Sequence, residues 1–410
     1  MIEVNLHDVI VGLTTSLDFV GVDELQHGKR VGHMACLVGQ ALGWDRARCL
    51  HVLHGGMLHD CGVSGFSEPR GLDDELDWEG TEGHCARGGE FLSSCSVLSG
   101  FEGVARYHHR KWHELTGVAE LSDEGRLEAN LIYLVDRVDV LFSPFLQAGG
   151  LRTDIIGQRD GLVSRIQALG AGRFAPVLVD AFSKTAASDA FWLSMEPSYL
   201  DEELIQLGRL GAPVVLDKTD LRSLAGLLLR VIGAKSVHTE EHSRRVAAVS
   251  RHLAYSMGYR GDHLFMIEIA GLLHDMGKLR VPSEIIDKPG VLTRDEYSQM
   301  VRHSYDTFRI LLRIFRDSPI PRWAGAHHEN LLGQGYPFRH EARAIEQESR
   351  IVSVADIFQA LLQDRPYRTR LTGDEVILCM SAMVSDGRLD PAVFSVLVRE
   401  LDTCVRLATG

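Results

Sequence analysis

The chain has 410 residues, 45% of them hydrophobic and 7% aromatic, enough for two or three ordinary domains with cores of their own. A formal charge of −13 excludes the broad basic face that grips DNA or RNA polymers, so a phosphate-bearing ligand would have to be met by a metal or by local Arg and Lys. The apolar runs are broken by charge before the roughly 18 residues of a membrane span, Met1-Ile2-Glu3 lacks the basic start of a signal peptide, and the seven cysteines (Cys36, Cys49, Cys61, Cys85, Cys95, Cys379 and Cys404) are never spaced as C-x-x-C.

These features lead us to expect a soluble cytoplasmic protein with reduced thiols and no membrane contact. No stretch of alternating β-branched residues is long enough for a substantial sheet, and the class expected is all-α. In the first half, HGKRV begins at His27, MLHDCGV carries His59 and Asp60, and a single His84 precedes the doublet His108-His109. LIYLVDRV follows with Asp136, its apolar positions 131, 134, 135, 138 and 141 forming one helix face. LGRLGAPVVLDKTD (207–220) breaks the helical rhythm with Gly, Pro and charge, and reads as a linker between a domain at 1–206 and another at 221–410.

Beyond the linker, LRSLAGLLLRVIGA keeps a helix face at 221, 224, 228 and 231, and the earlier pattern returns. His242 stands 215 residues after His27, and His274-Asp275 stand 215 after His59-Asp60. His303 and the doublet His327-His328 come 219 residues after their counterparts, and Asp356 comes 220 after Asp136. Such a ladder in one order implies tandem duplication of a helical bundle.

His and Asp converging from several helices is a common way for a bundle to hold metal, and imidazole with carboxylate suits Fe, Mn, Co or Ni. Cys is absent from the matched positions, which counts against a thiolate zinc site. Asp275 is placed to bridge two ions, one oxygen to each; a pair of ions about 3.5 to 4 Å apart activates water and clamps an in-line phosphoryl displacement. The doublet His327-His328 supplies donors for the second ion. His238, four residues before His242 on the same helix face, is a candidate ligand for a third, although its first-half counterpart is Asp23.

The second half resembles the HD-GYP domain, a bacterial cyclic-dinucleotide phosphodiesterase subgroup of the HD superfamily. The resemblance rests on HSRRV (242–246), HDMGK (274–278), KPGVLT (288–293), His303, HHE (327–329), GQGYP (333–337), VAD (354–356) and DRPYR (364–368), which cover most of residues 221–370 in the family's order. It implies His242, His274, Asp275, His303, His327, His328 and Asp356 as metal ligands. It also implies Lys278 facing the scissile phosphate, Gly335, Tyr336 and Pro337 shaping the mouth of the site, and Arg365 and Arg368 on substrate phosphates. Asp275 and Lys278 are the expected catalytic pair, with two ions per site, or three if His238 joins, Fe or Mn before Ni or Co. Residue chemistry agrees: an ammonium beside the ions offsets phosphate charge, and the planar fork of Arg matches phosphate oxygens.

The first half keeps His27, His59, Asp60, His84, His108, His109 and Asp136 but loses the phosphate-handling residues. Val63 stands for Lys278, Thr116-Gly117-Val118 for Gly335-Tyr336-Pro337, and 145–148 for 365–368. It reads as a stabilising or regulatory partner, a second nucleotide site, or a phosphatase for the linear product. The expected activity is hydrolysis of cyclic di-GMP or 3′,3′-cyclic GMP-AMP to a linear dinucleotide, and on to mononucleotides. A cyclic-dinucleotide receptor without turnover is the alternative, and a mononucleotidase is disfavoured by the GYP and RPYR set. We also expect the first domain to pack on the second, and a homodimer.

Overall fold

The computed structural model describes residues 2–18, 26–63, 81–147, 150–152, 154–209, 213–235, 237–363 and 370–410. They divide into two compact units, one of Asn5–Pro213 and the other of Val214–Gly410 together with Met1–Val4. The opening residues join the second unit because strand β1 (Ile2–Asn5) pairs with a strand at Pro213–Leu216. The 207–220 segment is therefore not plain linker: it holds the end of one helix, this short strand and the start of the next helix.

The first unit runs α1 (Leu6–Asp18), α2 (His27–Ala41), α3 (Arg46–Leu58), α4 (Thr81–Ser93), α5 (Glu102–Tyr107), α6 (Trp112–Leu115) and α7 (Asp123–Phe142). It continues through a minimal antiparallel pair, β2 (Leu146–Gln147) and β3 (Gly150–Leu151), to α8 (Ile155–Leu169), α9 (Pro176–Ala186), α10 (Asp189–Leu193) and α11 (Pro197–Gly208). The second unit follows β4 (Pro213–Leu216) with α12 (Lys218–Lys235), α13 (Val237–Ser256), α14 (Gly261–Leu273), α15 (Ser283–Ile286), α16 (Arg294–Ile314), α17 (Ile320–Gly325), α18 (Gln347–Leu362), α19 (Gly373–Ser385), α20 (Pro391–Arg399) and α21 (Leu401–Thr409).

Local chemistry sets the helix starts. Ser122 caps α7 by accepting from the Gly125 amide, and Thr293 and Thr372 form reciprocal capping boxes with Glu296 and Glu375 at α16 and α19. The stripe read from sequence on α7 faces the core, with Leu131, Leu134, Val135 and Val138 buried, and Ile351, Val354, Ala355, Phe358 and Leu362 on α18 are buried likewise. Burying a side chain such as Phe358 contributes about 1.5–3 kcal/mol, which holds α18 against α13, α14, α17 and α21. Asp136 and Asp356 ride on these anchored helices, so each carboxylate is fixed by the apolar residues around it.

Candidate metal centre

In the second unit five elements bring one rung of the ladder each. α14 ends at Leu273, leaving His274 at its C-cap and Asp275 at the head of the tight turn Met276–Arg280. That turn lies so close to α16 that a Cβ on Gly277 would come within 2.0 Å of the His303 carbonyl oxygen, which explains the glycine of HDMGK. His242 comes from α13, His303 from α16, His327 and His328 from the turn after α17, and Asp356 from α18.

The two oxygens of Asp275 divide these imidazoles. Oδ2 lies 3.3 Å from His274 Nε2 and 3.7 Å from His242 Nε2, while Oδ1 lies 3.5 Å from His303 Nε2 and 3.9 Å from His327 Nε2. Asp356 Oδ1 closes the first group at 3.1 Å from His242 and 3.7 Å from His274. His328 joins the second, the donor atoms of His303, His327 and His328 all lying within 4.8 Å of one another.

The ring orientations suit a cation. His274, His303 and His327 each direct Nδ1 to a main-chain carbonyl, of Gly271, Met300 and Ala324. A carbonyl only accepts, so Nδ1 carries the proton and Nε2 presents its lone pair to the cluster. Burial holds the His303 imidazole down to about 3 and that of His328 to about 4, keeping both neutral at ordinary pH. His274 moves the other way, because Asp275 and Asp356 outweigh its burial. Burial alone would raise the Asp275 carboxyl, yet His274 and Lys278 hold it well below the usual range. Its Oδ1 is buried without a hydrogen-bond partner, the state of an atom placed to meet a cation.

The first unit repeats the arrangement on α2, the end of α3, α4, the end of α5, and α7. Asp60 Oδ2 lies 3.7 Å from His27 Nε2 and 3.5 Å from His59 Nε2; Oδ1 lies 3.6 Å from His84 Nε2 and 3.5 Å from His108 Nε2. Asp136 Oδ1 sits 3.5 Å from His27, and a Cβ on Gly62 would lie 2.1 Å from the His84 carbonyl oxygen, as at Gly277.

The HD domain family matches residues 227–393. Over 402 residues the chain is 38% identical to 3'3'-cGAMP-specific phosphodiesterase 1 of Vibrio cholerae, spanning 97% of this chain and 92% of that protein. The chain belongs to the HD-GYP family. It is 36% identical over 183 residues to the cyclic di-GMP phosphodiesterase response regulator RpfG of Xanthomonas campestris, across 43% of this chain and 47% of that one. A solved structure described as a cyclic GMP-AMP specific phosphodiesterase of V. cholerae (V-cGAP3) shares the fold, with TM-score 0.67 at 22% identity over 97% of both chains. The family is metal-dependent, in keeping with the clusters described above.

The Gly-Tyr-Pro loop of this HD-GYP chain folds back on the histidine doublet. A Cβ on Gly335 would lie 2.4 Å from Glu329 Cα, the Tyr336 amide donates to the His328 carbonyl at 3.3 Å, and the Tyr336 ring sits 4.7 Å from that of His328. The loop thus buttresses the histidine doublet. Lys278 also lies at the centre, its Nζ 2.6 Å from Asp275 Oδ2. Arg365 and Arg368 lie outside the described residues, as does the side chain of His238.

The motif reading missed four contributors. Glu329 accepts from the amides of Phe338, Arg339 and His340 and pins the loop that follows Pro337. Gln359 Oε1 accepts from His242 Nδ1, and Asp139 does the same for His27, at 2.7 Å, while being clamped by Arg30 at 2.6 and 2.8 Å. Both lie one turn after the aspartate of the ladder, at matching positions of the repeat, which was a usable signal. The fourth is a cysteine beside a rung of the ladder: Cys85 Sγ lies 3.6 Å from His84 Nε2 and 3.8 Å from His108 Nδ1. Burial pushes this thiol up, but His108 and His84 outweigh it and bring it down to about 6.

Proposed function

We propose that this protein hydrolyses a phosphodiester bond of a cyclic dinucleotide at the centre of its second unit, giving a linear dinucleotide. The observation that carries this reading is the split of Asp275, one oxygen toward His242 and His274 and the other toward His303 and His327, the pattern of a carboxylate shared between two cations. His242, His274 and Asp356 would hold one ion and His303, His327 and His328 the other, with Asp275 common to both. Such ions, when bound, lower the pKa of water and offset charge on the phosphoryl oxygens. Fe and Mn suit this imidazole and carboxylate set, with Ni or Co next.

The chain's own side chains do the rest. Lys278, beside Asp275 Oδ2, holds positive charge where a phosphoryl oxygen would approach. Gly335, Tyr336 and Pro337 keep His328 in place and form one wall for the ligand, and Arg365 and Arg368 take its phosphates. Among the substrates, 3′,3′-cyclic GMP-AMP is favoured over cyclic di-GMP because the relative spanning nearly the whole chain is named for it, whereas RpfG, named for cyclic di-GMP, matches across 43%.

The first unit would load metal through His27, His59, Asp60, His84, His108, His109 and Asp136 without cleaving the dinucleotide. Val63 replaces Lys278, and Arg137 Nη2, 2.5 Å from Asp136 Oδ2, takes an oxygen of that carboxylate where the second unit has Ile357. The test is to incubate Mn- and Fe-loaded protein with each dinucleotide and separate the products. Faster cleavage of 3′,3′-cyclic GMP-AMP than of cyclic di-GMP is expected. Tight binding of both without product would replace this reading with the receptor.

A further inference from the structure

The two centres differ at one donor. The repeat that places His303 opposite His84 places Ser304 opposite Cys85. In the second unit the Ser304 hydroxyl sits 3.2 Å from His303 Nε2, and a neutral hydroxyl is a poor ligand for a divalent ion. In the first unit that position holds a thiol. The donor atoms of His84, Cys85, His108 and His109 all lie within 4.8 Å of one another, with Cys85, His84 and His108 buried. His108 donates through Nδ1 to the Ala105 carbonyl, so its Nε2 lone pair turns inward, 3.4 Å from His84 Nε2 and 3.9 Å from the sulfur.

We propose that Cys85 is a metal ligand, completing with His84, His108 and His109 a four-donor site in the first unit that takes a zinc-class ion. The inference rests on the reading that the first unit binds metal. Thiolate with imidazole selects a softer ion than imidazole with carboxylate, so the two units carry different metals in one chain. Four protein donors, with Asp60 Oδ1 a further 3.6 Å from His84 Nε2 and 3.5 Å from His108 Nε2, leave no position for water, the mark of a structural rather than a hydrolytic site. The first unit is then a metal-stapled domain, not a second hydrolase, and the phosphatase alternative loses ground. Cys85 is buried and its sulfur is seated among ring nitrogens.

The test uses the full chain carrying Asp275→Ala, which disables the second centre, loaded with Co(II) and with Zn(II). The expected result is about one ion per chain held by His84, Cys85, His108 and His109, with a near-ultraviolet thiolate-to-cobalt charge-transfer band that disappears in Asp275→Ala/Cys85→Ser. The zinc-loaded protein, which needs no change at Cys85, should show a sulfur neighbour at about 2.3 Å by X-ray absorption. Bound cobalt without the band, or zinc without sulfur, overturns the ligand assignment while sparing metal binding by the first unit. No metal bound in Asp275→Ala protein overturns both.

Discussion

An imidazole that faces either cluster is oriented by what grips its other nitrogen. Gln359 and Asp139 hold His242 and His27 through Nδ1, one by a neutral amide and the other by a carboxylate already clamped by Arg30. Removing such an outer partner typically costs 10–100-fold in metal affinity. Gln359→Ala should therefore weaken metal binding by the second unit about that much and leave the first unit's content unchanged, as metal titrations of the variant and the unaltered protein in parallel would read; equal loss from both units would contradict the assignment. At this scale the sequence was legible only where the halves agree. The ladder from His27 to Asp356 stood out because each rung occurs twice at nearly one spacing. Cys85 against Ser304 and Asp139 against Gln359 dropped out because the repeat was used to find matches, and these positions are where the two sites differ.

Turn geometry at the element scale is dictated by close backbone approach. Gly277 and Gly62 let the turn after each HD pair lie on the helix that brings the next histidine, with under 2.2 Å between a would-be Cβ and a main-chain oxygen. Gly277→Ala must push the turn off α16, and overpacking of this kind costs about 1–3 kcal/mol. A lower urea midpoint together with weaker metal binding is expected; unchanged values for both would mean the turn has slack that the packing does not show. The helical period of α7 was readable from its apolar residues although the helix is buried on every side from Ala129 to Asp139, whereas β1 and β4 escaped notice because strands of four residues carry no period. The Gly-Tyr-Pro segment was readable as a loop, but its hold on His328 depends on contacts with Glu329 that spacing does not reveal.

The acid limit of the first unit can be tested on a group away from both centres. Burial lowers His33 from 6.5 to about 4, with its Nε2 3.1 Å from the Ser194 hydroxyl. Above pH 6.5 the ring is neutral folded or unfolded, and its share of stability is intact. Below 6.5 only the unfolded chain takes the proton, so stability falls until pH passes the folded value near 4, on the order of 3 kcal/mol at most. His33→Gln should flatten this part of the urea-midpoint profile, and an unaltered slope between pH 6.5 and 4 would contradict it.

Across the whole molecule the two centres are similar, but the second unit holds Lys278 and the Gly-Tyr-Pro loop that the first unit lacks. The most direct measurement follows metal per chain and cyclic-dinucleotide cleavage together in the unaltered protein, Asp60→Ala and Asp275→Ala. Asp275→Ala should lower the metal content and reduce cleavage by at least about 100-fold, the scale of losing an ion-fixing ligand. Asp60→Ala should lower the first unit's share of metal and retain most of the cleavage. Full turnover by Asp275→Ala with its metal retained, or loss of turnover in a folded Asp60→Ala protein, would contradict the division of labour between the two units.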